Sequence, residues 1–203
     1  MGNLDAATIR RRAIVLLVFV AFVATLLIIS NRRIGQMTRW EQELAGAGPV
    51  RVVELYLTAR RDSDLALKML CLTNERKLEL LEAGEDTPHG QEMDRNLQDL
   101  IIHGIEPVPA PLDQLPVDWD SLRSSYPAAA DEDNVAAVTA RYTTQYRSGG
   151  PGESGEQQEL YILVRTADLV QADDQEDRVD LSGSPARWRI ALWLPWPDNG
   201  PQQ

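Results

Sequence analysis

The chain has 203 residues, with 20 Lys and Arg against 31 Asp and Glu for a net charge of −11. That is room for one domain of ordinary size with appendages, which excludes a multidomain enzyme, and the acidic balance excludes a general nucleic-acid binder, which needs clustered Lys and Arg against phosphate. A single cysteine excludes an internal disulfide and every CxxC-based zinc, haem or redox motif.

The charge is unevenly spread. Residues 1–77 hold 12 basic and 7 acidic side chains, net +5, while residues 78–203 hold 8 and 24, net −16. A basic start and an acidic remainder suit a tethered protein with one end at a charged surface.

Ala13 to Ile29 reads AIVLLVFVAFVATLLII, seventeen residues whose only polar member is Thr25, set between Arg10-Arg11-Arg12 and Arg32-Arg33. At the helical rise this run extends roughly 25 Å, a little short of the hydrocarbon layer, and Ser30, Asn31 and snorkelling arginines supply the rest. A secretory signal is shorter and closes on a small-x-small cleavage site, which Leu-Leu-Ile-Ile-Ser-Asn-Arg-Arg lacks. Cys71 lies too far inside for a lipoprotein signal, and Ala6 stands where a myristoylation site needs Ser or Thr. We therefore expect a transmembrane helix over 13–31 flanked by those five arginines, after a leader at 1–12. The arginines on the two sides nearly balance, so orientation rests on the short leader and the long C-terminal part, which translocates largely regardless of charge. This puts the N-terminus in the cytoplasm. Ala21, Ala24 and Thr25 form a small-residue strip on which another helix could pack.

A juxtamembrane stalk is expected over 32–48, broken by Gly46-Ala47-Gly48-Pro49, and an extracytoplasmic domain over 49–197 with a tail at 198–203. A first helix starts with Pro49 in its first turn, carries Val52, Val53, Tyr56, Leu57 and Ala59 or Arg60 on one face, and ends at Arg60-Arg61. Asp62-Ser63-Asp64 caps a second helix with Leu65, Ala66, Met69, Leu70 and Cys71 inward, and Thr73 or Asn74 caps a third through Leu78 and Leu81. A fourth helix is predicted from Gln91 to His103, with Met93, Leu97, Leu100 and Ile101 on one side and Gly104 as its stop. The prolines at 107, 109, 111, 116 and 127 allow only an extended segment near 105–108, a short turn around 118–123 and loop. Three strands come next. Val138 to Arg147 alternates, Leu160 to Val170 is apolar on both faces, and Arg187 to Leu194 places Trp188, Ile190, Leu192 and Leu194 opposite Arg189, Ala191 and Trp193. Helices followed by an antiparallel meander predict an α+β fold with helices over one face of a curved sheet.

The candidates for chemistry are few. His89 sits in turn composition, Thr-Pro-His-Gly, and His103 at the expected helix end. No HxH, HExxH or Cys/His cluster is present, so neither a metal nor a cofactor is expected. Gly149 to Gly155 lacks the Lys-Ser/Thr of a phosphate cradle, and Glu153-Ser154-Gly155 lacks the first glycine of a nucleophile elbow. Asp173, Asp174, Glu176, Asp177 and Asp180 lack calcium-loop spacing and read as a solvated loop. Cys71, between Leu70 and Leu72, reads as a small core residue. Trp193 and Trp196, off the inward face of the last strand, are the candidate docking pair.

An N-terminal apolar span, a helix, then Arg61-Asp62-Ser63-Asp64-Leu65-Ala66-Leu67-Lys68-Met69-Leu70-Cys71, then long strands ending in Arg-Trp-Arg-Ile-Ala-Leu-Trp together resemble the membrane-anchored NTF2-like (cystatin-like cone) proteins of bacteria. The resemblance covers about residues 49–194 and lies in element order, with the Pro-rich stretch departing from it. It implies a cone-shaped domain, in a group that includes enzymes, small-ligand binders and non-catalytic assembly modules. With no convergent polar site in the sequence, the expected role is a non-catalytic single-span accessory subunit of a larger membrane complex for transport, secretion or electron transfer. Its partners would be the lipid bilayer and other integral membrane proteins, with no nucleic acid. The alternatives are a module holding a small apolar ligand and, third, a cone-fold enzyme with His103, Asp62 or another ionisable group in its cavity.

Overall fold

The computed structural model describes residues 35–82, 89–148, 152–166 and 186–196, together with Phe19, Phe22, Val23 and Thr25. The chain forms two compact units, residues 1–40 and 41–203. The second holds α1 (Pro49–Arg61), α2 (Leu65–Leu70), α3 (Asn74–Glu82), α4 (Gln91–Asn96), β1 (Leu97–Pro107), α5 (Trp119–Ser125), β2 (Val135–Tyr146), β3 (Gly155–Thr166) and β4 (Arg187–Pro195). The strands make one antiparallel sheet in the order β1-β2-β3-β4. The α+β class and the helices-then-meander order are as the sequence predicts.

The expected N-terminal transmembrane helix is corrected. Among the described residues no helix is long and apolar enough to cross a membrane. The longest labelled helix, α1, has 13 residues and carries Arg51, Glu54, Arg60 and Arg61, and the helical run over 35–45 carries Arg39, Glu41 and Glu43. Of residues 13–31 only Phe19, Phe22, Val23 and Thr25 are described, each helical and exposed. Ala21, Ala24 and the flanking Arg10, Arg11, Arg12, Arg32 and Arg33 lie outside the described residues, as do the leader, the acidic loop around 173–180 and the tail. The domain does not wait for Pro49: Leu44 is 1% exposed, and Glu43 pairs with Arg51 of α1.

α1 begins as its sequence predicts, with Pro49 in the first turn, and Arg60 and Arg61 lie in its last turn. Asp64 caps α2, its side chain accepting from the Leu67 N–H at 3.0 Å. α2 then turns differently from the predicted face: Leu67 and Lys68 are buried and Leu65 is exposed. Six residues make fewer than two turns, too short for periodicity to fix the inward side.

The predicted helix over 91–103 is corrected to α4 followed by β1. The Leu97, Leu100 and Ile101 spacing imitates a helical face because of an irregularity between Leu97 and Asp99, which leaves Leu97 and Leu100, three apart, both buried. His103 therefore sits within a strand, exposed, with Nε2 2.7 Å from Thr143 Oγ1.

On β2, Val138, Ala140, Tyr142 and Thr144 are buried in strict alternation, and on β3 Leu160 to Val164 are all buried. Both match the predicted pattern. The β2–β3 connection requires Gly152, whose φ is +109° and where a Cβ would lie 2.9 Å from the Tyr146 ring. β4 departs from alternation. Ile162 opposes Leu192 while Leu163 opposes Ile190, so Ala191 is an extra residue. The bulge reverses the facing of the residues after it, placing Trp193 beside Tyr161 and sending Ala191 into the core on the other side.

That other core is the Pro-rich stretch. Leu115, Leu122, Tyr126, Ala129 and Trp196 pack on Val135, Ala137, Leu160, Ile162 and Val164. α1, α2 and α4 lie against one face of the sheet, and this layer, which includes α5, covers part of the opposite one. β4's outer edge is also occupied by the chain itself. Leu72 bridges Ile190 in parallel, with Thr73 N–H donating to Ile190 O at 3.1 Å and Ile190 N–H to Cys71 O at 2.9 Å.

Candidate functional site

The domain's chemistry lies between the helices and the sheet. Tyr56 and Arg60, one turn apart on α1, share its inward stripe. Tyr142 on β2 and Glu159 and Tyr161 on β3 point to the same side of the sheet, because Ala140 pairs with Glu159 and Val138 with Tyr161. α2 supplies Lys68, α4 supplies Asp94, β4 supplies Trp193, and His89 enters just ahead of α4.

These side chains bond one another. Arg60 Nε donates to Asp94 Oδ1 at 3.0 Å and its Nη1 to the Tyr142 hydroxyl at 3.2 Å, while Lys68 Nζ donates to Asp94 Oδ2 and to the His89 carbonyl. Glu159 accepts from the Tyr142 hydroxyl at 2.7 Å and from the Tyr161 hydroxyl. His89 Nε2 lies 2.8 Å from Glu159 Oε1 and Nδ1 lies 2.9 Å from the Tyr56 hydroxyl. The His89 ring stacks on Trp193 at 4.7 Å between centroids, and the Arg76 guanidinium covers Trp193 at 4.9 Å. Three bonds thus hold His89 at φ +65°, a left-handed conformation uncommon for a residue with a side chain.

The electrostatics assign the protons. Burial and the Arg60 charge hold the His89 ring below its ordinary value, so it is neutral. Burial by itself would raise the Glu159 carboxyl, but the His89 contact, the Arg60 charge and the Tyr142 hydroxyl outweigh it and hold the group at about 2. An ionised carboxylate only accepts, so His89 Nε2 carries the hydrogen and Nδ1 accepts from Tyr56. Burial lowers Lys68, against the pull of Asp94, and raises the Tyr56, Tyr142 and Tyr161 hydroxyls. With Arg60 and Lys68 charged against Asp94 and Glu159, the network is neutral overall. That is the condition under which buried charges are tolerated.

Tyr56, His89 and Glu159 form a hydroxyl-imidazole-carboxylate chain, the arrangement that activates nucleophiles in hydrolases. Here the hydroxyl has nowhere to deliver its reactivity, since Tyr56 is 0% and His89 3% exposed. Two open depressions bordered by described residues lie elsewhere, one of about 170 Å³ at Gly104, Glu106, Thr139, Arg141 and Gln158, the other of about 240 Å³ between α3, α5 and β4.

No family model, curated protein or solved structure matches the chain. What is known of its site therefore rests on the residues themselves.

The structure distributes the sequence's candidates widely. Trp193 is half-buried between His89 and Arg76, and Trp196 is 9% exposed within the second core, its backbone N–H donating to Gln158 O at 2.8 Å. They do not form an exposed pair, because the β4 bulge turns the first inward and the Pro-rich layer encloses the second. Cys71 is fully buried, and burial pushes its thiol up to about 12. Asp62 is exposed and paired with Arg61. Among the described residues no group of three or more His, Cys, Asp or Glu could hold a metal ion.

Sequence reasoning missed Lys68, Asp94 and Glu159, and left His89 in a turn. Only Arg60 carried a signal, lying four residues after Tyr56 on the apolar stripe of α1. The rest are single charged residues in short elements, indistinguishable in sequence from surface charge.

Proposed function

We propose that the chain is a non-catalytic accessory subunit of a larger membrane protein complex, contributing its acidic α+β domain as a contact surface. The observation that carries this reading is the buried network: the domain's most chemically capable side chains bond each other and present no hydroxyl, imidazole or carboxylate to a substrate. The order of helices and antiparallel strands supports an NTF2-like cone, and in this reading the side chains of the network occupy the space where relatives of that kind would keep a cavity. A small-ligand module or an enzyme would need that interior open. The apolar run of 13–29 between its arginines, a property of the sequence, supports residence at a membrane.

The test is purification of the tagged full chain from native membranes in mild detergent, with identification of the proteins that remain bound through gel filtration. A stoichiometric integral membrane partner is expected. A chain that elutes without any other protein overturns the reading, whether it elutes as a monomer or as a self-associated species.

A further inference from the structure

The two edges of the sheet are treated unequally. β4's edge is bonded at its middle, Ile190 by the backbone of Cys71 and Thr73 and the Ala191 carbonyl by the Arg76 side chain, whereas β1, with 11 residues, is hydrogen-bonded only to β2 among the described strands. Open edges of this length are templates for pairing, and proteins blunt them unless they are used. β1 carries one small guard: the Leu100 N–H is taken by the Asp99 carboxylate at 2.8 Å. That bond also shows which way the backbone faces. The Leu100 N–H aims away from β2, and Ile102, two residues on with no irregularity between, aims the same way.

We propose that β1 pairs antiparallel with β1 of a second copy across a two-fold axis at Ile101. Only an axis through a residue, and not between two, brings outward-facing backbone groups together; one at Leu100 sets the Asp99 carboxylate against the apolar Ile101 of the second copy, and one at Ile102 sets Leu100 against Gly104, beyond the irregularity. With Ile101 on the axis, Leu100 faces Ile102 of the second copy, and each exchanges N–H and C=O. Asp99 then meets His103 of the second copy, and Ile101 meets itself. Ile101 is 52% exposed, the one large apolar side chain of the sheet left open to this degree, and Asp99 and His103 are both exposed. Shifting the axis to Asp99 sets two carboxylates against each other. Shifting it to His103 centres pairing on the irregularity between Ile102 and Gly104 and runs Asp99 into Pro107, which has no N–H. Asp99 gives up its bond to Leu100 and gains the His103 imidazole, so the guard of the single chain becomes a contact of the pair. This surface is independent of the accessory role and uses no residue of the buried network.

Ile101→Cys in the full chain tests the axis directly, because a residue on a two-fold must cross-link to itself. Facing residues of this kind have Cα atoms about 4.5 Å apart, within disulfide reach. Cys71 is buried and does not compete. Mild oxidation is expected to convert I101C to a covalent dimer while E106C, five residues from the axis and about 33 Å from its own copy, stays a single chain. Equal cross-linking of both, of neither, or of I101C to a different protein overturns the pairing. In sedimentation, H103D, which sets carboxylates against Asp99, is expected to weaken dimerisation at least ten-fold, and D99K/H103D to restore it. Weakening without restoration, or a dimer indifferent to H103D, overturns the register. The substituted side chains are exposed, so the fold is retained.

Discussion

Protonating His89 would add a charge to a buried site in which Arg60 and Lys68 already balance Asp94 and Glu159, and would strip the Tyr56 hydroxyl of its acceptor. In the folded chain His89 is held below its ordinary value and Glu159 at about 2. Unfolded, they return to about 6.5 and 4.3. Between those limits the unfolded chain binds more protons, so the stability these two groups contribute is full above about pH 6.5 and falls as the pH falls. Urea unfolding followed by tryptophan fluorescence, with Trp193 as a reporter stacked on His89, should show the midpoint declining from pH 6.5 towards 3. His89→Gln keeps a donor for Glu159 and an acceptor for Tyr56. It should flatten the upper part of that decline, and wild-type and variant curves running parallel would show that His89 is not the group responsible. None of this was legible at single positions, because Lys68, Asp94 and Glu159 acquire meaning only from neighbours 17 to 34 residues away or more.

Short elements depend on their ends. α2 has six residues, too few to hold a helix by propagation, so the Asp64 cap and packing on α1 fix it. Because α2 carries Lys68 into the network, the cap also positions a buried charge. Asp64→Ala should cost about 1 kcal/mol, and Asp64→Asn should recover most of it, read as the change in thermal midpoint. An Asp64→Ala protein with unchanged stability would mean that packing alone sets α2. Capping residues and the Pro49 start were visible in the sequence because they act over three or four positions. The beginning of β1 and the facing of β4 were not. Both turn on bulges, and a bulge is set by how a strand meets its partner.

At the scale of the unit over 41–203, the described residues bury side chains on both faces of the sheet, and Trp196 belongs to the cluster that includes Leu115, Leu122 and Tyr126. A docking tryptophan would affect binding and leave stability alone, whereas a core tryptophan does the reverse. Trp196→Ala should therefore destabilise the domain by about 3–5 kcal/mol in equilibrium unfolding, and a variant as stable as the wild type would return Trp196 to the surface. The sequence by itself determined the α+β class, the order of helices before an antiparallel meander, the caps, the alternating faces of β2 and the two-sided burial of β3, because these arise from periods of 3.6 and 2, from continuous apolar runs and from contacts a few residues apart. Only the tertiary structure decided where charge is buried, which tryptophans are enclosed, that the Pro-rich stretch forms a second layer, and that β1 is the open edge. Those outcomes depend on pairings between distant segments, and no local pattern encodes them.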